Sequence, residues 1–171
     1  VGGHCIGVDP YYLSYSSNLK GYNPKLILSG RKINENMSNL VAKKFIYYLK
    51  KKNILKKGIN ILIMGATFKE NCPDLRNSKV FDIINNLQKY KFNIDVYDPW
   101  INKDNEIIKK YTKKKLFKLI KQPIKDRYSG VIRVLNHNIF KQIDINQIKK
   151  ISKKENVFFD LNSYYNSIFS D

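Results

Sequence analysis

Along this chain the apolar positions alternate between helical spacing and short continuous runs, and each shift predicts a new element. Ile33, Met37, Leu40, Val41, Phe45 and Tyr48 recur at intervals of mostly three and four, the stripe of an amphipathic helix. Before it, Pro10 to about Leu19 reads as a short helix that Gly21 ends. Asp9 is its expected N-cap and Pro10 its first helical residue, and Asn23-Pro24 repeats that start signal. Lys50 to Gly58 is a basic connector and predicts a boundary, dividing the chain into residues 1–52 and 53–171. Asn60 to Gly65 is then a continuous apolar run closed by glycine, the pattern of a buried parallel strand. Val80, Ile83, Ile84 and Leu87 predict a helix from Ser78 to about Tyr90, and Phe92 to Tyr97 a second strand. A helix from Asn105 to Lys121, a strand at Val131–Leu135, a helix near Ile143–Ile151 and a strand at Val157–Leu161 follow. Such alternation predicts a doubly wound α/β sheet of parallel strands.

Composition narrows the picture. With 171 residues, 43% of them apolar and 13% aromatic, the chain can bury a core. No apolar run reaches the length of a membrane span and no signal peptide opens the chain, so no membrane partner is expected. Cys5 and Cys72 sit in different motifs and suggest no disulfide framework, which fits a cytoplasmic protein. The net charge of +18 is spread over many segments, among them Lys50–Lys52, Lys56-Lys57 and Lys113–Lys115. Scattered lysines read as solvated faces, so no nucleic-acid partner is expected; a basic field would still attract a diphosphate.

Two stretches carry candidate chemistry. The first is Val1-Gly2-Gly3-His4-Cys5-Ile6-Gly7-Val8-Asp9-Pro10-Tyr11-Tyr12-Leu13. Its glycines permit close approach of a ligand to the backbone. Cys5 stands just before a predicted helix N-terminus, where the dipole favours the thiolate, so it is either a nucleophile or a small turn residue. The second is Gly65-Ala66-Thr67-Phe68-Lys69-Glu70-Asn71-Cys72-Pro73-Asp74-Leu75-Arg76-Asn77-Ser78, at the C-terminal end of the first predicted strand. Ligands of open α/β sheets bind there, and Lys69, Arg76 and the following helix start would suit a diphosphate; the two cations are equally at home on a plain surface. No metal site is expected.

Both stretches resemble the UDP-glucose/GDP-mannose dehydrogenase family, in the branch that oxidises UDP-N-acetylhexosamines to uronic acids for surface polysaccharides. The first is similar to its active-site segment. The second, with Val96-Tyr97-Asp98-Pro99-Trp100 after the next strand, is similar to its UDP-binding domain. The resemblance implies a Rossmann-like UDP-binding domain over residues 53–171, preceded in 1–52 by part of an all-helical central domain whose long helix forms a homodimer contact. It implies Cys5 as nucleophile and Asp9 as the group that activates or orients water. Val1, Gly2, Gly3, Phe68 and Lys69 would contact the sugar nucleotide, while Cys5, Ile6, Gly7, Val8 and Arg76 would border NAD. No G-x-G-x-x-G fingerprint is present, so the chain is expected to be the C-terminal portion of a longer enzyme, or a nucleotide-sugar-binding module without dehydrogenase activity. Asn136-His137-Asn138-Ile139-Phe140 also resembles a family segment; His137 is expected to be structural and Cys72 a small buried thiol. Arg133 departs from the resemblance, standing in a strand where the family keeps an apolar residue. Phe159 to Ser163 replace a glycine-arginine pair used by UDP-glucose dehydrogenases.

Overall fold

A computed structural model describes residues 5–162. Helices α1 (Asp9–Leu19) and α2 (Lys25–Lys51) precede an alternating series of β1 (Asn60–Met64), α3 (Val80–Gln88), β2 (Asn93–Tyr97), α4 (Glu106–Lys113), β3 (Lys118–Ile120), β4 (Tyr128–Arg133), α5 (Asn138–Lys141), α6 (Ile145–Ile151) and β5 (Ser152–Asp160). The five strands form one sheet in the order β3-β2-β1-β4-β5, every pairing parallel. The doubly wound parallel sheet expected from the alternation is therefore present.

Alternation along β1 separates the two faces of the sheet. Ile61 and Ile63 join a core with Ala42, Phe45, Ile46 and Leu49 of α2 and with Phe81, Ile84 and Leu87 of α3. Leu62 and Met64 point the other way, to Tyr128, Val131, Phe140 and Ile148 beneath α5 and α6. The second half of α2 thus shares a hydrophobic core with the sheet. Gly130 of β4 is where that helix comes closest: a Cβ there would fall on the Phe45 ring and within 2.9 Å of Ile61 Cδ1. Gly130→Ala is expected to cost about 2–3 kcal/mol through overpacking, a drop of roughly 4–12 °C in Tm. An unchanged melting curve would mean that α2 is not seated on β4.

Several elements depart from the sequence expectations for local reasons. The predicted stripe of α2 divides: Phe45 is buried, whereas Ile33, Met37 and Leu40 are 66%, 45% and 50% exposed. The seated face is Ser38, Ala42, Phe45 and Leu49, and Met37, Ile33 and Leu40 lie roughly 110–170° around the helix from its centre. Val8, not Asp9, caps α1, and its side chain makes no cap bond; Asp9 is the first helical residue. Pro10 at the second helical position has no N–H to cap, and the N–H of Tyr11 at the third donates to Val8 O at 3.0 Å, so no donor is left that a cap side chain must meet. Pro24 likewise stands at the N-cap of α2 in place of Asn23. The long helix expected from Asn105 to Lys121 stops at Lys113. Lys115 takes a left-handed φ of 53°, and Lys118–Ile120 becomes the short edge strand β3. Strand β4 begins three residues before the expected Val131. Cys72 is half-buried rather than buried.

The topology also regroups the lysines. Lys56 and Lys57 precede β1, Lys89 and Lys91 precede β2, Lys113–Lys115 precede β3, Lys125 precedes β4, and Lys149, Lys150, Lys153 and Lys154 surround the start of β5. In a parallel sheet those segments all lie at the strands' N-terminal edge. Much of the positive charge, scattered in sequence, therefore collects at the end of the sheet opposite the loop that follows β1. Among the described residues no helix is long and apolar enough to cross a membrane.

Candidate functional site

The loop after β1 starts where Gly65 adopts φ 86°. A Cβ at Gly65 would lie 2.8 Å from Leu135 Cβ, so both conformation and space call for glycine. Its N–H donates to Tyr97 O at 3.0 Å, which draws the loop towards the end of β2. There Asp98, buried, takes over. Oδ2 accepts the N–H groups of Ala66 (2.7 Å) and Thr67 (3.1 Å), and Oδ1 accepts that of Trp100 (2.9 Å). His137, fully buried after β4, places Nε2 3.1 Å from the same Oδ2. Burial opposes ionisation of Asp98, yet the hydrogen bonds from His137, Ala66 and Trp100 outweigh it and hold the carboxyl below the usual carboxylate range.

Farther along the loop, Phe68 is half-buried and its N–H donates to Asp74 O at 2.7 Å. Lys69 is exposed. Ser78 Oγ returns to Ala66 O at 2.9 Å, tying the foot of α3 to the loop. Arg76 donates through Nη2 to Asp74 Oδ2 at 2.8 Å while its side chain stays 72% exposed, a fixed guanidinium facing outward. On the other side, residues 5–8 form a tight turn in which Val8 N–H donates to Cys5 O at 2.9 Å. Cys5, Ile6, Val8 and Asp9 are exposed and Gly7 is half-buried. Val1, Gly2, Gly3 and His4 lie outside the described residues.

The two stretches meet in one cleft of about 450 Å³, where Gly7 of the turn faces Phe68, Asn77 and Ser78 of the loop and Arg31 and Asn34 of α2. Cys5, Ile6, Val8, Asp9, Lys69 and Arg76 do not line it. A larger depression of about 820 Å³, bordered by Lys91, Lys115, Lys118 and Arg127, contains none of the expected site residues. Sequence reasoning missed Arg31. It is 8% exposed, its guanidinium carbon sits 5.5 Å from the centre of the Tyr11 ring, and Nη2 lies 3.7 Å from Glu35 Oε1. Tyr11 OH also donates to Glu35 Oε1. This knot joins α1 to α2 beside the cleft. An arginine on a helix of apolar periodicity was the available signal.

The site also bears on where a dinucleotide could sit. In a dinucleotide fold the acid at the end of β2 holds a ribose, but Asp98 is fully engaged by backbone N–H groups and His137. The crevice between β1 and β2 therefore does not fit NAD as its main seat. The Arg76 guanidinium and Cys5, Ile6 and Val8 of the turn are, by contrast, exposed.

The comparisons agree with this geometry. The chain is 41% identical over 161 residues to the UDP-N-acetyl-D-glucosamine 6-dehydrogenase of Pseudomonas aeruginosa, covering 94% of this chain and 37% of that protein. Among solved structures it superposes on the UDP-D-ManNAc dehydrogenase of Pyrococcus horikoshii with a TM-score of 0.71 at 25% identity, over 94% of this chain and 34% of that one. The UDP-N-acetyl-mannosamine dehydrogenase of Staphylococcus aureus gives a TM-score of 0.68 at 27% identity, over 98% of this chain and 35% of that one. The chain thus spans little more than a third of the length of these proteins. Residues 62–167 match the UDP binding domain of the UDP-glucose/GDP-mannose dehydrogenase family. With a parallel sheet, a cationic strand-end loop and more than half its length matched, the chain belongs to the UDP-glucose/GDP-mannose dehydrogenase family and carries its UDP binding domain.

Proposed function

We propose that this chain is the substrate-holding portion of an NAD-dependent dehydrogenase that converts C6 of a UDP-N-acetylhexosamine to a carboxylate. The observation that carries the reading is the shared cleft, in which the turn that follows Cys5 stands across from Phe68 of the UDP-binding loop. Phe68 offers a ring to the nucleotide and Lys69 a mobile cation to its diphosphate. By the family resemblance, Val1, Gly2 and Gly3, outside the described residues, would contact the sugar nucleotide. The sulfur of Cys5 adds to the C6 aldehyde, its proton passing to the aldehyde oxygen, and keeps the carbon bound as a thiohemiacetal and then as a thioester, so that no free aldehyde escapes. Asp9, one helical turn on with no capping bond to make, orients the water that hydrolyses the thioester. Arg76 and the turn at Cys5, Ile6, Gly7 and Val8 border NAD, which when bound accepts the hydrides released from C6.

The further parts of the proposal are a cytoplasmic location, a place in surface-polysaccharide synthesis, a helical central domain over residues 1–52 and a homodimer. The homodimer draws on the outward Ile33, Met37 and Leu40 of α2. A second reading, a nucleotide-sugar-binding module without dehydrogenase activity, draws on the match of residues 62–167 to a UDP binding domain. Calorimetry with UDP-N-acetylglucosamine on the 171-residue chain tests what both readings share. Saturable one-to-one binding that UDP displaces is expected, and no heat at millimolar ligand would contradict both. Uronic acid formation once a dinucleotide-binding segment is supplied separates enzyme from module.

A further inference from the structure

The loop that carries Phe68 and Lys69 is held from both ends by one buried imidazole and its carboxylate. At its start, Asp98 Oδ2 accepts Ala66 N–H and Thr67 N–H. At its far end, Asn71 N–H donates to Nδ1 of His137 at 2.9 Å. Between them, Thr67 Oγ1 donates to Lys69 O at 3.1 Å and lies 3.3 Å from His137 Nε2. The segment entering α5 is bound to the same loop: Asn138 N–H donates to Asn71 Oδ1 at 2.9 Å, and Asn136 N–H to Glu70 Oε1 at 3.1 Å.

These partners dictate the state of the ring. A backbone N–H can only donate, so the Nδ1 that receives it carries no proton. Nε2 faces an ionised carboxylate, which can only accept, and a threonine hydroxyl whose proton is already given to Lys69 O; it must therefore be the protonated nitrogen. The ring is thus a neutral Nε2–H imidazole that donates to the end of β2 and accepts from the loop. Both functions are needed. Without the Nδ1 acceptor, Asn71, held at a left-handed φ of 54°, loses the one bond from the loop's own backbone among the three described that hold residues 70 and 71.

We propose that His137 is a positioning residue for nucleotide binding: through its Nδ1 acceptor it sets the path of residues 66–71 so that Phe68 and Lys69 are presented to the UDP moiety. This rests on the proposed role of that loop in holding the nucleotide. It gives a functional task to a fully buried side chain that does not line the cleft, that is remote in sequence from the loop, and that a core role would describe only as filling space.

Two replacements separate the ring's nitrogens. His137→Asn keeps an acceptor at the place of Nδ1 but is too short to reach Asp98; His137→Gln keeps a donor at the place of Nε2 and loses the acceptor. Both are expected to lower Tm. By calorimetry with UDP on the full chain, His137→Asn should bind within about threefold of wild type and His137→Gln roughly tenfold more weakly. Amide hydrogen exchange at Asn71 should remain slow in wild type and His137→Asn and become fast in His137→Gln. A purely structural histidine would leave the folded variants with equal UDP affinity, and that result overturns the proposal. So would a wild-type ring whose nitrogen chemical shifts report the Nδ1–H tautomer, a measurement that requires no variant to fold. Failure of wild type to bind UDP while Asn71 stays protected would refute the nucleotide role itself rather than the clamp.

Discussion

Replacing Cys5 by serine is expected to abolish uronic acid formation while leaving UDP-sugar binding unchanged. Cys5 is exposed on a tight turn two residues before the Gly7 that lines the cleft, and serine is close to cysteine in size. Affinity and fold should therefore both survive. The chemistry should not. A serine hydroxyl is a far weaker nucleophile without a neighbouring base, and the ester it would form hydrolyses more slowly than a thioester. Loss of at least about a thousandfold in turnover is the expected size for removing the covalent group. The assay is uronate release by the chain combined with a dinucleotide-binding segment, with binding followed in parallel by calorimetry. Appreciable acid from Cys5→Ser would rule out the covalent route, and loss of binding would make Cys5 part of the substrate seat.

The second large effect is expected at Asp98. Its carboxylate gathers three backbone N–H groups and an imidazole N–H in a buried position, drawing together the ends of β1, β2 and β4. Asp98→Asn keeps the volume but must turn an amide N–H towards donors or leave them unmet. Breaking such a buried charge-assisted cluster costs about 3 kcal/mol, a drop of roughly 6–12 °C in Tm for a chain of this size. The pH dependence follows from the sign of the shift. The folded carboxyl titrates below its ordinary value, so its contribution is complete above the ordinary aspartate range and is lost as pH falls through the lower, folded value. Wild type should lose stability along that acid limb, whereas Asp98→Asn should start lower and lose less on further acidification. Parallel acid profiles for the two proteins would show that Asp98 is not the ionised anchor of the loop.

The fold was legible wherever a single segment carries its own pattern. The apolar run at Ile61–Met64 carried the pattern of a covered strand, and Val80, Ile83, Ile84 and Leu87 mark a helix with one buried face. Legibility ended where neighbours decide. Helical spacing runs on past Lys113, but pairing of Lys118–Ile120 with Asp95–Tyr97 turns that stretch into an edge strand. The outward set of Ile33, Met37 and Leu40 cannot be told from the seated set until Gly130 shows which face meets the sheet. At the site, the motif around Cys5 and the loop around Lys69 stood out in sequence because their residue types are unusual in close succession. The clamp did not. Asp98 and His137 lie 39 residues apart, and only the parallel order of β2, β1 and β4 brings them to the same loop. The contact of Arg31 was illegible for a related reason, since its partner Tyr11 belongs to a different helix.

Amide chemical shifts of the isotope-labelled chain, followed through a titration with UDP-N-acetylglucosamine, test most directly whether one sugar nucleotide bridges the turn and the loop. Gly7 on one side, and Phe68 and Lys69 on the other, should shift together along a single saturation curve. Shifts confined to one side, or two curves with separate midpoints, would contradict a shared grip on one ligand.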